Sequence, residues 1–237
     1  MWAEQAVFTS LPRRGRNGYH LVSQSRGVGD EDAQALAQWA PSHGALIMDQ
    51  SNRTSVNFHP LPSGRFAISR TCGGPPEYSG RGGQQLYTHS LIVDDAVLEV
   101  VRFQPFSIYR DAMALGYLLY QGEPGEVLQP VPLLRMHRGW DAGAWSTHAA
   151  ELGLPPLGPL HERLQAGDTL QFSYAGDRIA LAECLVGMLA PGAVRRISFS
   201  TGLQPSSVRP FVLTLVADVA RPNRIAPPRD ARAQLTA

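Results

Sequence analysis

Lysine is missing from this sequence: all 21 basic residues among its 237 are arginine. The absence excludes three chemistries in their standard form. A phosphate-binding loop of the G-x-x-x-x-G-K-[ST] type needs its lysine on the β- and γ-phosphates. A protein kinase needs the strand lysine that grips the α- and β-phosphates, and a Schiff-base enzyme needs a primary amine. Cysteine is nearly as scarce. Cys72 and Cys184 match no metal or redox spacing, and both are expected to be free and buried in a reducing cytoplasm. No apolar run approaches the roughly 18–20 residues that cross a bilayer. The opening "MWAEQAVFTSLPRRGRNGYH" lacks the basic-then-apolar order of a signal peptide, so a cytoplasmic location without a membrane partner is expected. Charge is sparse as well. With 17% charged residues and a net charge of +1, the whole chain offers no field for nucleic acid, membrane or an acidic polymer, and nucleic acid is not an expected partner.

What is present suits a packed globular fold, with 43% apolar residues to build a core. "QAVFTSL" and "YHLVSQS" read as two strands joined across "PRRGRNG" and its Asn-Gly turn. "GDEDAQALAQWA" reads as a helix, with Asp30 at the N-cap, Glu31 and Asp32 against its positive end, and Ala35, Leu36 and Trp39 on one stripe. "VNFHPLPSGRFAIS" is a second hairpin, in which Val56 and Phe58 alternate with polar neighbours, as do Phe66 and Ile68. "LYTHSLIV" is a further strand and "DDAVLEVVRF" a helix. "PFSIYRDAMALGYLLY" starts a helix at Pro105 and sets Ile108, Ala112, Leu115 and Leu119 on one side. Residues 121–168 are rich in proline and glycine, with short helices expected around "GAWSTHAAEL" and "PLHERLQ". "RIALAECLVGMLA" is apolar nearly all round and reads as a buried helix. "VRRISFST" and "PFVLTLVAD" are the last strands. Hairpins, helices and returning strands in this order predict an α+β fold with a largely antiparallel mixed sheet and helices packed on it. The expected organisation is one globular domain over residues 1–220, or two lobes dividing near residue 125, followed by a flexible tail over 221–237.

One stretch invites a functional reading. "EYSGRGGQQLYTHSLIV" runs from a glycine-rich turn into a strand. Glycines there permit positive φ and an anion-binding nest of N–H groups, and Arg81 can fork onto phosphate or carboxylate. Nucleotide fingerprints, however, run from strand through glycines to helix. Here the glycines precede a strand, which favours a structural turn, with a contact loop as the alternative. Tyr78, Gly80, Arg81, Gly82 and Gly83 are therefore binding candidates. His89 shares a strand face with Tyr87, Leu91 and Val93, company that points to a core histidine, with a binding, catalytic or switching role as the alternative. Arg13, Arg14 and Arg16 cluster in the first loop, either merely solvated or facing an acidic partner or a nucleic-acid backbone.

Enzyme templates fail in turn. "HERLQ" has Gln165 where a zinc metalloprotease motif needs its second histidine. There is no G-x-S-x-G elbow. Cys72 with His89 makes a thiol–base pair only if the fold brings them together, and His137, Asp141 and His148 have no zinc-site spacing. No cofactor or metal is expected.

"QAVFTSLPRRGRNGYHLVSQSRGVGDEDAQALAQW", "YSGRGGQQLYTHSLIV" and "RISFSTGLQPSSVRPFVL" together resemble a bacterial family, the N-terminal domain of GTPase-associated protein 1 in its type-2 form, common in planctomycete-like proteins. The resemblance extends over most of residues 3–217, and its pattern falls on Gly80, Arg81, His89, Ser90, Phe199, Ser200 and Thr201. It implies an adaptor or regulatory component of a GTPase-centred conflict or signalling system, with a GTPase or its associated components as protein partner. It supplies no catalytic residues. An arginine on a glycine loop could reach a GTPase site in trans, as arginine fingers do. The alternative to the adaptor is a small-ligand-binding protein or hydrolase-like enzyme with a pocket around Cys72, Tyr78 and His89, lined by the polar row of these three and Arg70.

Overall fold

The computed structural model describes residues 1–12, 17–49, 53–77, 83–134 and 141–217. The alternating runs at the start fold as hairpins. β1 (Trp2–Ser10) pairs antiparallel with β2 (Tyr19–Ser25). β3 (Thr54–Pro60) pairs with β4 (Phe66–Pro76), and the Leu61 N–H bonds the Arg65 carbonyl at 2.8 Å across the turn. Gly64 supplies the positive φ of +81° that the turn requires. β5 (Gln84–Val93) then lies between the hairpins, antiparallel to both β1 and β4.

Five shorter strands complete the sheet among the described residues: β6 (Val127–Leu128), β7 (Val131–Pro132), β8 (Leu170–Ser173), β9 (Phe199–Ser200) and β10 (Leu213–Val216). The order is β6-β2-β1-β5-β4-β3-β9-β10-β8, with β7 also pairing β1. The long strands are antiparallel, whereas β6 joins β2, and β8 and β9 join β10, in parallel. The sheet is thus mixed and the fold α+β, as the order of elements implied.

Helices cover both faces. α1 (Asp30–Trp39) packs Ala35 and Leu36 with Ala6, Ala67 and Ile92. On the other face, α2 (Asp95–Val100), α3 (Pro105–Ala114), α4 (Ala142–Glu151), α5 (Gly158–Gln165), α6 (Arg178–Gly187) and α7 (Pro191–Val194) contribute to one large cluster with Phe58, Ile68, Leu91, Phe199 and Leu215. That cluster draws side chains from Ala3 through Leu215. Phe199 stacks on Phe58 at 5.7 Å and on Phe106 at 5.0 Å, so late and early segments share aromatic contacts.

Three local expectations change. The N-cap of α1 is Gly29, not Asp30, and Asp32 is turned inward rather than left to decorate the helix end. It accepts from the Ser63 N–H at 3.1 Å and hydroxyl at 2.7 Å, and from Arg65 Nη2 at 2.7 Å, which ties α1 to the β3–β4 turn. α3 ends at Ala114, where Gly116 at φ +82° redirects the chain, so Leu115 and Leu119 are exposed while Ile108 and Ala112 are buried. The last two strands, β9 and β10, run parallel rather than as a returning pair. Among the described residues no helix is long and apolar enough to cross a membrane.

Candidate functional site

The glycine-rich stretch is anchored by residues on either side of its tip. The Glu77 N–H bonds the Gly83 carbonyl at 3.1 Å, closing the connection between β4 and β5. Gly83 has φ +83°, and a Cβ there would lie 2.5 Å from the His43 ring, so backbone and packing both demand glycine. Ser10, at the end of β1, donates to the Glu77 carboxylate at 2.8 Å and accepts at its carbonyl from Gln85. The anchors of the first loop and of the glycine-rich turn therefore meet at one end of the sheet. The candidates Arg13, Arg14, Arg16, Tyr78, Gly80, Arg81 and Gly82 themselves lie outside the described residues.

His89 is fully buried in the middle of β5, opposite Arg70 on β4 and Val7 on β1. Its Nε2 bonds Gln5 Oε1 at 2.8 Å, while Nδ1 finds no hydrogen bond of normal geometry. Burial pushes its pKa down to about 4, and the nearby Tyr117 backbone only partly offsets the cost of a buried charge. His89 is therefore neutral at pH 7. Tyr87, its neighbour on the same face, is pushed up to about 12 by burial, with the charge of Cys72 second. The opposite face of the strand is also closed. Thr88 and Ser90 join Ser69, Thr71, Asn57 and Ser55 in a buried polar floor, linked by Asn57 to Ser69 at 3.2 Å and Thr71 to Thr88 at 2.9 Å.

Cys72 and His89 stand on the same face but do not form a nucleophile–base pair. Cys72 is the register partner of Tyr87, and His89 Nε2 is taken by Gln5. Burial raises the Cys72 thiol, with Arg70 opposing the effect. A neutral thiol beside a neutral, occupied histidine is a poor nucleophile. The other titratable residues noted in the sequence have structural duties. Asp141 caps α4, accepting from the Ala144 N–H at 2.7 Å, and His148 faces Glu151 at 3.5 Å; His137 lies outside the described residues. His161 Nε2 is placed 3.1 Å from the Met188 carbonyl. Among the described residues no three of His, Cys, Asp and Glu gather as a metal site.

The concave feature that does gather candidates is an open cleft of about 740 Å3 at the same end of the sheet, lined by Met48, Asp49, Arg53, Thr54, Arg70, Cys72, Gly73 and Gln84. It takes in Arg70 and Cys72 of the expected polar row and leaves His89 sealed beneath. Arg53, Thr54 and Gln84 were not singled out by the sequence. They come together because β3 pairs with β4 so that Thr54 opposes Cys72, a register that residue spacing alone does not reveal. Asp49 is held by the buried Arg178 at 2.6 Å.

Residues 2–132 match the family model for GTPase-associated protein 1, N-terminal domain type 2. The matched region runs from β1 through β7, so the "FST" strand at Phe199–Thr201, counted in the resemblance, falls outside it. No curated protein and no solved structure matches the chain. With more than half of its length matched, the chain belongs to the family of the GTPase-associated protein 1 N-terminal domain, type 2.

Proposed function

We propose that the chain is a non-catalytic adaptor or regulatory domain of a bacterial GTPase-centred conflict or signalling system, acting by protein–protein contact in the cytoplasm. The observation that carries this reading is the family match over residues 2–132, which names association with a GTPase. The missing lysine supports an associate over the GTPase itself, because a phosphate-binding loop needs that side chain. The state of the buried groups supports contact over catalysis: His89 is neutral at pH 7 and the Cys72 thiol is raised by burial.

The contact surface in this reading is formed by the loops carrying Arg13, Arg14, Arg16 and Arg81. Their anchors, Ser10, Glu77 and Gln85, are hydrogen-bonded together, which supports one composite surface over two separate ones. Loops on a fixed frame suit recognition, since the frame bears the cost of ordering them. The residues that follow the matched region extend the same sheet and core, in keeping with one domain up to about residue 217.

Affinity capture from the native bacterium, read by mass spectrometry, tests the proposal. Wild type is expected to enrich a GTPase, and Arg81→Ala or the triple change of Arg13, Arg14 and Arg16 to alanine is expected to lose it. Absence of any GTPase from the wild-type capture overturns the reading. Equal capture by all three baits removes the loops from the interface.

A further inference from the structure

We infer that the cleft between the start of β3 and the end of β4 is a binding site for a small anion, a metabolite-sized ligand bearing a phosphate or carboxylate group. The inference stands apart from the GTPase-associated reading, because it rests on side chains that the loops do not include.

Its basis is uncompensated positive charge in a concave place. Arg53 and Arg70 both line the cleft. Arg53 is exposed and makes neither a hydrogen bond nor an ion pair among the described residues. Arg70 faces no carboxylate in an ion pair there. Its Nη1 donates to the Leu118 carbonyl at 3.1 Å, and its buried Nε has no acceptor. Five other described arginines meet a carboxylate, Arg65 at Asp32, Arg110 at Glu183, Arg163 at Asp168, Arg178 at Asp49 and Arg195 at Asp95, whereas Arg26, Arg102, Arg196 and Arg209 form no ion pair among the described residues. What sets Arg53 and Arg70 apart is their place: two guanidinium groups without a carboxylate partner line one cleft, and one of them keeps a buried Nε without an acceptor, which points to an acceptor supplied from outside the chain.

The local charge favours an anion over a cation. Among the described residues of the lining the one carboxylate, Asp49, already lies 2.6 Å from the fully buried Arg178. Planar guanidinium groups recognise phosphate and carboxylate through paired N–H donors, and these charge-assisted bonds are stronger than neutral ones. Thr54 and Gln84 add neutral hydrogen-bonding groups. Met48 and Cys72 supply an apolar wall, and Gly73 leaves the floor low, where a Cβ would strike the Gln84 amide at 2.5 Å. At about 740 Å3 the cleft falls within the roughly 300–1,000 Å3 of small-molecule sites.

The experiment is calorimetric titration of the full chain with inorganic pyrophosphate and, separately, with succinate, in wild type, Arg53→Ala and Arg70→Gln. Saturable one-site binding of at least one probe is expected, weakened about tenfold or more by either substitution and further by added salt. Pyrophosphate alone binding assigns a phosphate ligand, and succinate alone a dicarboxylate. Arg53 is exposed and unpaired among the described residues, so Arg53→Ala is expected to keep the fold and remains informative even if Arg70→Gln destabilises the chain. As an independent readout, the bound probe should slow labelling of Cys72 by a thiol reagent while leaving Cys184 unchanged. Two results overturn the inference: no saturable binding of either probe, or binding that Arg53→Ala leaves intact. Loss of GTPase capture by Arg53→Ala together with no binding of either probe reassigns the cleft to the protein interface and likewise overturns it.

Discussion

Arg70 and His89 are register partners across β4 and β5, yet one opens onto a cleft and the other is sealed in the sheet. A single row of the sheet thus divides the groups available to solvent from those held neutral inside. Most of the testable consequences follow from which side of that division a residue occupies.

The buried histidines make the fold acid-sensitive. His59 and His89 are both pushed down to about 4 by burial, against 6.5 for an exposed ring. Below pH 6.5 the unfolded chain takes up protons that the folded chain refuses. Stability is therefore full above that value and falls as the pH drops toward 4, by up to roughly 3 kcal/mol for each ring. Denaturant unfolding between pH 7.5 and 4.5 checks this, and His89→Gln should flatten part of the slope. A pH-independent midpoint across that range contradicts it.

Asp32 behaves in the opposite sense and in a lower window. Burial opposes its ionisation, but bonds from Ser63 and Arg65 outweigh that cost and leave its pKa below the ordinary 3.8. Its contribution is present above pH 3.8 and lost as the pH falls through the lower folded value. Asp32→Ala leaves the Ser63 and Arg65 donors without their acceptor and should cost about 2–3 kcal/mol. Asp30 makes no side-chain hydrogen bond among the described residues, so Asp30→Ala should stay within about 0.5 kcal/mol. Thermal melts of the two variants decide whether this helix start is held by a cap or by the inward carboxylate.

Both thiols should react slowly in the native protein, Cys72 before Cys184. Cys72 borders an open cleft, whereas Cys184 lies in the core and is pushed up to about 11, by burial first and by Glu183 second. Timed modification at pH 8, with mapping of the labelled residue, reads this directly. Faster labelling of Cys184 would place the solvent path elsewhere.

Aromatic contacts join the segment after the family-matched region to the matched region itself. Phe199 stacks between Phe58 and Phe106, and its replacement by alanine should cost about 3–5 kcal/mol, the usual range for a buried ring. Truncation after residue 134 strips β9 from the edge of β3 and removes α6 from the core, so the fragment should lack a cooperative unfolding transition. A fragment that melts cooperatively at the full-length temperature contradicts this.

Hairpins were legible in the sequence because alternation and turn chemistry act over a few residues. Val56 and Phe58 face Arg70 and Ile68 across a turn whose glycine was visible in the sequence. The helix at 178–187 was legible from its continuous apolar run. What could not be read has a long-range cause. β8 is a strand only because β10 pairs with it, and the two-residue β6 and β7 exist only beside β2 and β1. Leu115 and Leu119 kept the helical spacing but lost the helix at Gly116. Of the candidate site, Cys72, Arg70 and His89 were named in advance. Arg53 became visible only through the register of β3 on β4, and a register is a property of the whole sheet.

The most direct test of the GTPase-associated reading is reconstitution with the captured GTPase in purified form. Affinity is measured by calorimetry, and GTP turnover is followed with each protein alone and with both together. The expected result is a saturable complex, weakened by Arg81→Ala, with no GTP hydrolysis by this chain on its own. Hydrolysis by the isolated chain, or no complex at concentrations well above those of the capture, would contradict it.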